Sequence, residues 1–533
     1  MIGTGLLVAV LLVPHGFLLS RLLGVSGEAW LETASKMVPR YLPATAILLL
    51  AVGLITLVVG IATAWLVTAY EFRGRRFLAW ALILPLAFPA YIVGYTYAGI
   101  FDFTGVLQRL LWLVAGKQAR LPFGIMNLPG VVFVLSVTLY PYVYLIARAS
   151  FLRQSGAVLE VARLMGRSGA TSMLRVVLPL AWPAIFGGLL LVGMEVLNDY
   201  GVAEYYGIDT VTVGIYRTWK GLGRMDTAFS FAALIMLGVL AVMLFERWRR
   251  RRLQHQTATA GYRPVQPIPL RGWRALVAIL ICATPVLLGF LAPVLQLIAW
   301  AAITAKDVVD MEFLRLIINS LVLATLVTVV TVSVSIPIVY TSRLYRNRLS
   351  QTFSRLAAIS YALPGTIIAV SVYSLSTRID HGIHRFIGEP LGISTGLLIS
   401  GTFLAMAYGC IVRFMAVAVN PLEAGFERVC GRYDEASRAL GASPARTLWR
   451  IDLPLLKGTI AAAAILVFVD TLKELPLTLM LRPSTRFDTL AVKAYTLAHD
   501  ELVPESACAA LIILAAGLIP VTLMNKLLVA TDA

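Results

Sequence analysis

Charge is what this chain has least of. Asp, Glu, Lys and Arg make up 14% of its 533 residues, against about a quarter in ordinary soluble domains. Cysteine is sparse too: Cys282, Cys410, Cys430 and Cys508 show no CxxC spacing, so neither a zinc ribbon nor a disulfide framework is implied. The five histidines are scattered; His381 and His384 stand three apart in a loop and read as surface residues rather than ligands. No GxxxxGK[ST] phosphate loop occurs, which removes the usual cradle for nucleotide phosphates. With no nucleophile–base grammar and no His/Cys/Asp cluster either, the chain reads as a non-enzyme with no resident metal or cofactor.

What it does have is long apolar runs, with 59% of residues hydrophobic. A helix crosses a bilayer with about 20 apolar residues. Twelve stretches qualify: 1–23, 44–70, 78–101, 128–147, 181–199 and 227–246, then 275–303, 316–341, 356–376, 394–412, 459–481 and 506–529. Lipid offers no partner to an unpaired amide, so spans are helices or closed barrels, and the short alternation of a barrel is missing. The expected fold is an all-α membrane protein with about 12 transmembrane helices. The opening segment lacks a basic n-region and a small-residue cleavage site before Gly24, so it reads as the first span, not a signal peptide.

The net charge of +17 is topological. Segments 73–76, 148–175, 247–274, 343–355 and 413–457 with Lys526 hold 28 of the 45 Lys and Arg and a minority of the acids. The positive-inside rule puts them, and both termini, in the cytoplasm; nucleic-acid binding is not implied. The run Arg247-Trp-Arg-Arg-Arg-Arg252 is a juxtamembrane anchor, each base near an anionic lipid surface being worth about 1 kcal/mol.

A shift of 275 residues lays Ala44-Thr45 on Asn319-Ser320, Tyr70 on Tyr345, Arg73 on Arg348, Pro89 on Pro364, Glu160 on Glu435, Gly166 on Gly441, Pro179 on Pro454, Glu195 on Asp470 and Asp199 on Glu474. One offset over so long a stretch marks two six-helix halves in parallel orientation. The organisation is a first transmembrane half at 1–246, a basic cytoplasmic linker at 247–272 and a second half at 273–533. Pro85, Pro89 and Pro364 mark expected bends in their spans.

The long cytoplasmic loop of each half carries one grammar: Glu160-Val-Ala162, Gly166 and Leu178-Pro179 in the first, Glu435-Ala436, Gly441 and Leu453-Pro454 in the second. Glu favours the positive end of a short helix, Ala allows close approach, and Gly ends the helix. A second short helix then runs to Leu-Pro, which is expected to break it. This pattern resembles the membrane subunits of binding-protein-dependent ABC importers, with Val161 a departure from the two alanines usual there. The resemblance implies that each loop couples to one copy of a separate cytoplasmic ATPase, two in all, and that a periplasmic binding protein delivers substrate at a bacterial inner membrane.

Glu195, Asp199, Asp470 and Glu474 end the spans that follow these loops. Carboxylates there line a cation route at the bundle interface, or are interfacial with Lys473 neutralising Glu474. The words Met194–Gly207, Val213–Trp219, Val469–Pro476 and Phe487–Lys493 resemble the ferric-iron branch of the family. Carboxylates and Tyr200, Tyr205 and Tyr206 are hard oxygen donors suited to Fe(III), although tyrosine also populates interfacial belts; no ligand sphere is assigned. Thiamine and phosphonate or polyamine importers share the architecture, and a proton- or sodium-driven carrier is the alternative from another class.

Overall fold

The computed structural model describes residues 1–22, 24, 26–153, 171, 173–253, 267–345, 347–429, 431–483 and 487–532. Among them the chain is helical almost throughout, its strands being the two-residue parallel pair Tyr70–Glu71 and Ile268–Pro269. The all-α membrane fold therefore stands. Ten of the described helices are long and apolar enough to cross a membrane, eleven when Pro444–Leu455 and Lys457–Leu472, bent by 77°, count as one.

The runs missing from the ten are 356–376 and 459–481, the latter being the bent pair, while the 78–101 run still contributes Ala90–Ala115. The 78–101 and 356–376 runs are not single helices: each is cut by a 3-10 turn, Leu84–Ala87 and Ile359–Ala362, and resumes after a proline, at Ala90–Phe101 and Gly365–Ile383. Pro89 and Pro364 take extended backbone immediately before the new helix, where a missing N–H costs nothing. The expected bends are thus true breaks.

The repeat survives at residue level. Leu128–Arg153 and Phe403–Arg428 are 275 apart at both ends, as are Leu84–Ala87 and Ile359–Ala362, the π-turns Met173–Val177 and Leu448–Asp452, and the short helices Gly201–Tyr205 and Pro476–Met480. A shared hydroxyl device also recurs: the Val211 amide donates to Thr45 Oγ1 at 3.0 Å and the Leu490 amide to Ser320 Oγ at 2.8 Å. Thr45 and Ser320 differ by 275 but their partners by 279, which measures the longer 481–489 connection of the second half.

Packing gathers the chain into two compact units that do not follow the repeat boundaries. One comprises Met1–Ser35, Ile215–Met236 and Asp307–Lys493; the other Lys36–Gly214, Leu237–Lys306 and Ala494–Ala533. Each unit therefore combines the body of one repeat with terminal spans of the other. In the second unit small residues set the helix spacing: a Cβ on Gly60 would stand 2.8 Å from Val143 Cβ and 2.9 Å from the Tyr144 amide nitrogen, so Val38–Ala69 and Leu128–Arg153 meet backbone to side chain.

In the first unit Asp380 fastens the connection after Gly365–Ile383. It accepts from the amides of Leu398, Ile399 and Ser400 at 3.2, 2.9 and 2.8 Å and from Ser400 Oγ at 2.5 Å. Burial alone would raise its pKa, but the four donors outweigh it and hold the carboxyl below its ordinary value. Asp380→Ala is expected to cost about 1.5–3 kcal/mol locally, read as faster amide exchange at Leu398–Ser400. Because the folded pKa is depressed, the contribution is complete above the unfolded value of about 3.9 and is lost as pH falls through the folded one.

Candidate functional site

The second of the two repeated loops is fully laid out. Gly431–Ala439 forms the first arm. The Gly441 amide donates to Arg438 O at 2.9 Å and the Ala442 amide to Ser437 O at 3.0 Å, the two reversed bonds of a Schellman stop. Gly441 occupies the left-handed region this requires, at φ +77°, as the sequence pattern anticipated. Ser443 caps the second arm, Pro444–Thr447, through the Arg446 amide. The arm continues as the π-turn Leu448–Asp452 and Leu453–Leu455 before the chain turns into Lys457–Leu472.

The two arms are bound to each other and to the span end above them. Ser437 Oγ and Thr447 Oγ1 lie 2.7 Å apart across the turn. Tyr340 Oη donates to Pro444 O at 2.9 Å. Arg343, three residues further along Met311–Tyr345, pairs with Asp434 at 2.9 Å and also donates to Phe426 O. With its inner face so occupied, the loop turns Glu435, Ala436, Gly441 and Pro454 outward, beside Leu440 at 89% and Trp449 at 71% exposure. Apolar side chains presented this fully, outside the spans, are unusual on a finished surface.

Glu160, Ala162 and Gly166 of the first loop lie outside the described residues. Pro179 is described, and it corrects an expectation. It does not break the chain: it sits in the first turn of Leu178–Asn198, where proline needs no donor, and the helix runs on through it. Its counterpart Pro454 does precede a break, with the chain leaving the helix at Leu456 and bending 77°.

The four acidic positions stand at a second pair of breaks, two in each unit. Leu178–Asn198 stops at Asp199, whose carboxylate accepts from the Val202 and Ala203 amides at 3.4 and 3.1 Å and so caps Gly201–Tyr205. Its own carbonyl accepts from Thr212 Oγ1 at 2.6 Å. Glu474 does the same for Pro476–Met480 through the Leu477 amide at 3.1 Å. The equivalence by sequence is thus an equivalence of task. Glu195 stands one turn before Asp199, its carbonyl taking the Asp199 amide.

Lys473 does not neutralise Glu474. It pairs with Asp470 at 2.8 Å, one turn back along the same helix, while Glu474 pairs at 3.0 Å with Arg413, both side chains 5% exposed. Arg413 also donates to Leu363 O at 3.1 Å, so one guanidinium joins the break before Gly365–Ile383 to the break after Lys457–Leu472. Sequence reading ended the span at residue 412 and counted Arg413 with the cytoplasmic charges; the structure puts it inside the membrane-length helix Phe403–Arg428, where an arginine is rare.

Within the second unit a cavity of about 690 Å³ is lined by Asp102, Arg109, Tyr205, Trp300, His499 and Glu501 among others. Trp300 lies against Gly99, whose Cβ would meet it at 2.7 Å. Tyr205 continues inward to Tyr95, ring to ring at 6.4 Å, and Tyr200 packs on Tyr495 at 5.9 Å. Among the described residues no group of three or more His, Cys, Asp or Glu side chains is placed to hold a metal ion; His381 and His384 instead contact Thr377 O and Thr395 Oγ1.

Comparison with known proteins agrees with this picture. The pattern of the family described as binding-protein-dependent transport system inner membrane component matches twice, at residues 56–255 and 338–531. A ferric permease of Haemophilus influenzae, Fe(3+)-transport system permease protein FbpB 2, is 24% identical over 486 residues, covering 90% of this chain and 88% of its own. The spermidine/putrescine permease PotB of Escherichia coli is 29% identical over 201 residues, 37% of this chain and 72% of its own, and the molybdenum permease ModB of Azotobacter vinelandii 29% over 192 residues, 36% and 81%. Two matched copies over most of the chain, with the doubled loop and breaks, place the protein in the binding-protein-dependent transport system inner membrane component family, as a permease of an ABC importer.

Proposed function

We propose that this permease carries ferric iron, handed over by a periplasmic iron-binding protein, across the inner membrane of a bacterium, and that two copies of a separate ATPase drive it by docking on the segments around Glu160–Pro179 and Glu435–Pro454. Both termini and these segments face the cytoplasm in this reading. The observation that carries it is the loop at 431–455, whose inner face is bonded to a span end while Ala436, Leu440 and Trp449 stand open. Iron is preferred among substrates because the ferric relative matches nearly end to end, whereas the polyamine and molybdenum permeases match over little more than a third of the chain.

In this cycle the external protein releases iron to the outer end of the permease, where Asp102, Glu501 and Tyr205 of the cavity supply hard oxygen donors. Closure of the ATPase pair draws the two loops together, and the bundle exchanges one packing for another. Glu195 and Asp199 in one unit, and Asp470 and Glu474 in the other, belong to the route in this reading, at breaks where short helices meet long ones. Breaks of this kind are tolerated at membrane depth where they are buried in protein or line a cavity.

The test is uptake of radioactive iron into proteoliposomes holding permease, ATPase and loaded binding protein. Uptake is expected to require all three and ATP; uptake that ignores ATP and collapses with a protonophore would make the chain a gradient-driven carrier. Ala162→Cys and Ala436→Cys are each expected to form an adduct with an ATPase bearing cysteines in its groove, with a yield that changes on adding ATP. An adduct at neither position would remove the docking assignment.

A further inference from the structure

Behind the second loop a buried carboxylate is left without a hydrogen bond. Asp452, in the second arm, is fully buried at 0% exposure, and neither carboxylate oxygen has a hydrogen-bond partner among the described residues. Asp434 Oδ1, in the first arm, and Arg343 Nη2, at the span end, are buried and unpartnered as well. A carboxylate buried in this way is costly by several kcal/mol unless a cation compensates it. A guanidinium has five N–H donors, and here Arg343 spends two, on Asp434 and Phe426 O. Tyr340 on the span lies within the field of both acids, of Arg343 and of Arg438 on the first arm. The arms carrying the two acids are joined through Gly441, the one residue of the turn with a left-handed backbone.

The first half has no counterpart. Subtracting 275 puts Thr68 in the place of Arg343, Leu159 in that of Asp434 and Val177 in that of Asp452; Val177 is buried at 1%. The aromatic support is shared, since Trp65 and Phe151 stand where Tyr340 and Phe426 do, at 5.8 and 6.0 Å between rings. What differs is charge.

We propose that Arg343 exchanges carboxylates during the transport cycle, holding Asp434 in this conformation and Asp452 in the other, so that the second coupling segment swings between two ionic seats, whereas the first has no charged residue at the three equivalent sequence positions. The inference rests on the docking reading and deepens it. A device with two seats gives two discrete arrangements, and an acid left without a hydrogen bond in one state supplies a difference in energy that favours the other. Arg343, Asp434 and Asp452 are positioning residues, since they touch neither substrate nor nucleotide.

The test uses the full permease–ATPase complex in proteoliposomes with iron-loaded binding protein. Asp452→Asn is expected to keep co-purification with the ATPase and to leave thermal stability equal or higher, but to lower stimulation of ATP hydrolysis by the loaded binding protein about tenfold. Arg343→Gln is expected to give a similar drop, the double variant no further one, and Arg343→Lys a partial recovery. Stimulation in Asp452→Asn within about twofold of wild type, or losses that simply add in the double variant, would overturn the exchange. Failure of the docking reading shows separately, as a wild-type permease that does not retain the ATPase.

Discussion

Arg413→Leu is expected to lower the stability of the permease by about 3–5 kcal/mol, the range for removing one partner of a buried ion pair. The loss would be read as a fall in the thermal midpoint of the purified protein in nanodiscs. Its size reflects the groups left behind. Glu474 is 5% exposed and its other oxygen is occupied by the Leu477 amide, so no solvent replaces the guanidinium. Leu363 O loses its donor at the same time. Arg413→Leu combined with Glu474→Gln is expected to recover most of the stability, because glutamine keeps an acceptor for Leu477 and carries no charge. A single Arg413→Leu variant as stable as wild type would mean that the pair is not what holds the two breaks together.

Much of this architecture was legible in the residues. Apolar runs give spans because a bilayer admits little else, and the 275-residue offset predicted paired elements that do coincide to the residue. The turn at Gly441 was readable because a left-handed stop selects glycine. Legibility failed where one residue type serves two backbone outcomes. Pro179 and Pro454 are equivalent in sequence, yet one lies in the first turn of a continuing helix and the other before a 77° bend; proline marks a missing donor, and the residues after it decide whether the helix continues. The 356–376 run likewise read as one span because hydropathy averages over Pro364 without registering the break. Lys473 was the one partner for Glu474 that either reading offered, since adjacency in sequence is visible and contact between distant helices is not. Grouping by packing was also hidden: periodicity says which face of a span is apolar, not which bundle receives it.

The repeat also predicts the sign of a substitution at Gly365. In the first half the corresponding residue is Ala90, in the first turn of its helix, where alanine is favoured over glycine by about 1 kcal/mol. On local grounds Gly365→Ala should therefore stabilise. The surroundings reverse this: a Cβ on Gly365 would lie 2.8 Å from Glu474 Oε1 and 3.2 Å from Arg413 Nη1, and an ion pair fixed at both ends cannot withdraw without losing a bond. Gly365→Ala is expected to destabilise by about 1–3 kcal/mol, as overpacking does. The first half tolerates Ala90 because Thr138 and the shorter Asp199 stand in the places of Arg413 and Glu474, and Thr138 turns its hydroxyl back to Val134 O on its own helix at 2.9 Å. Glycine, arginine and glutamate thus form one solution and alanine, threonine and aspartate another. Moving the second set into the second half, as Gly365→Ala with Arg413→Thr and Glu474→Asp, is expected to be more stable than Gly365→Ala alone, measured by thermal unfolding. A triple variant weaker than the single one would show that the three positions are not coupled, and a stabilising Gly365→Ala would show that the ion pair yields to the methyl group.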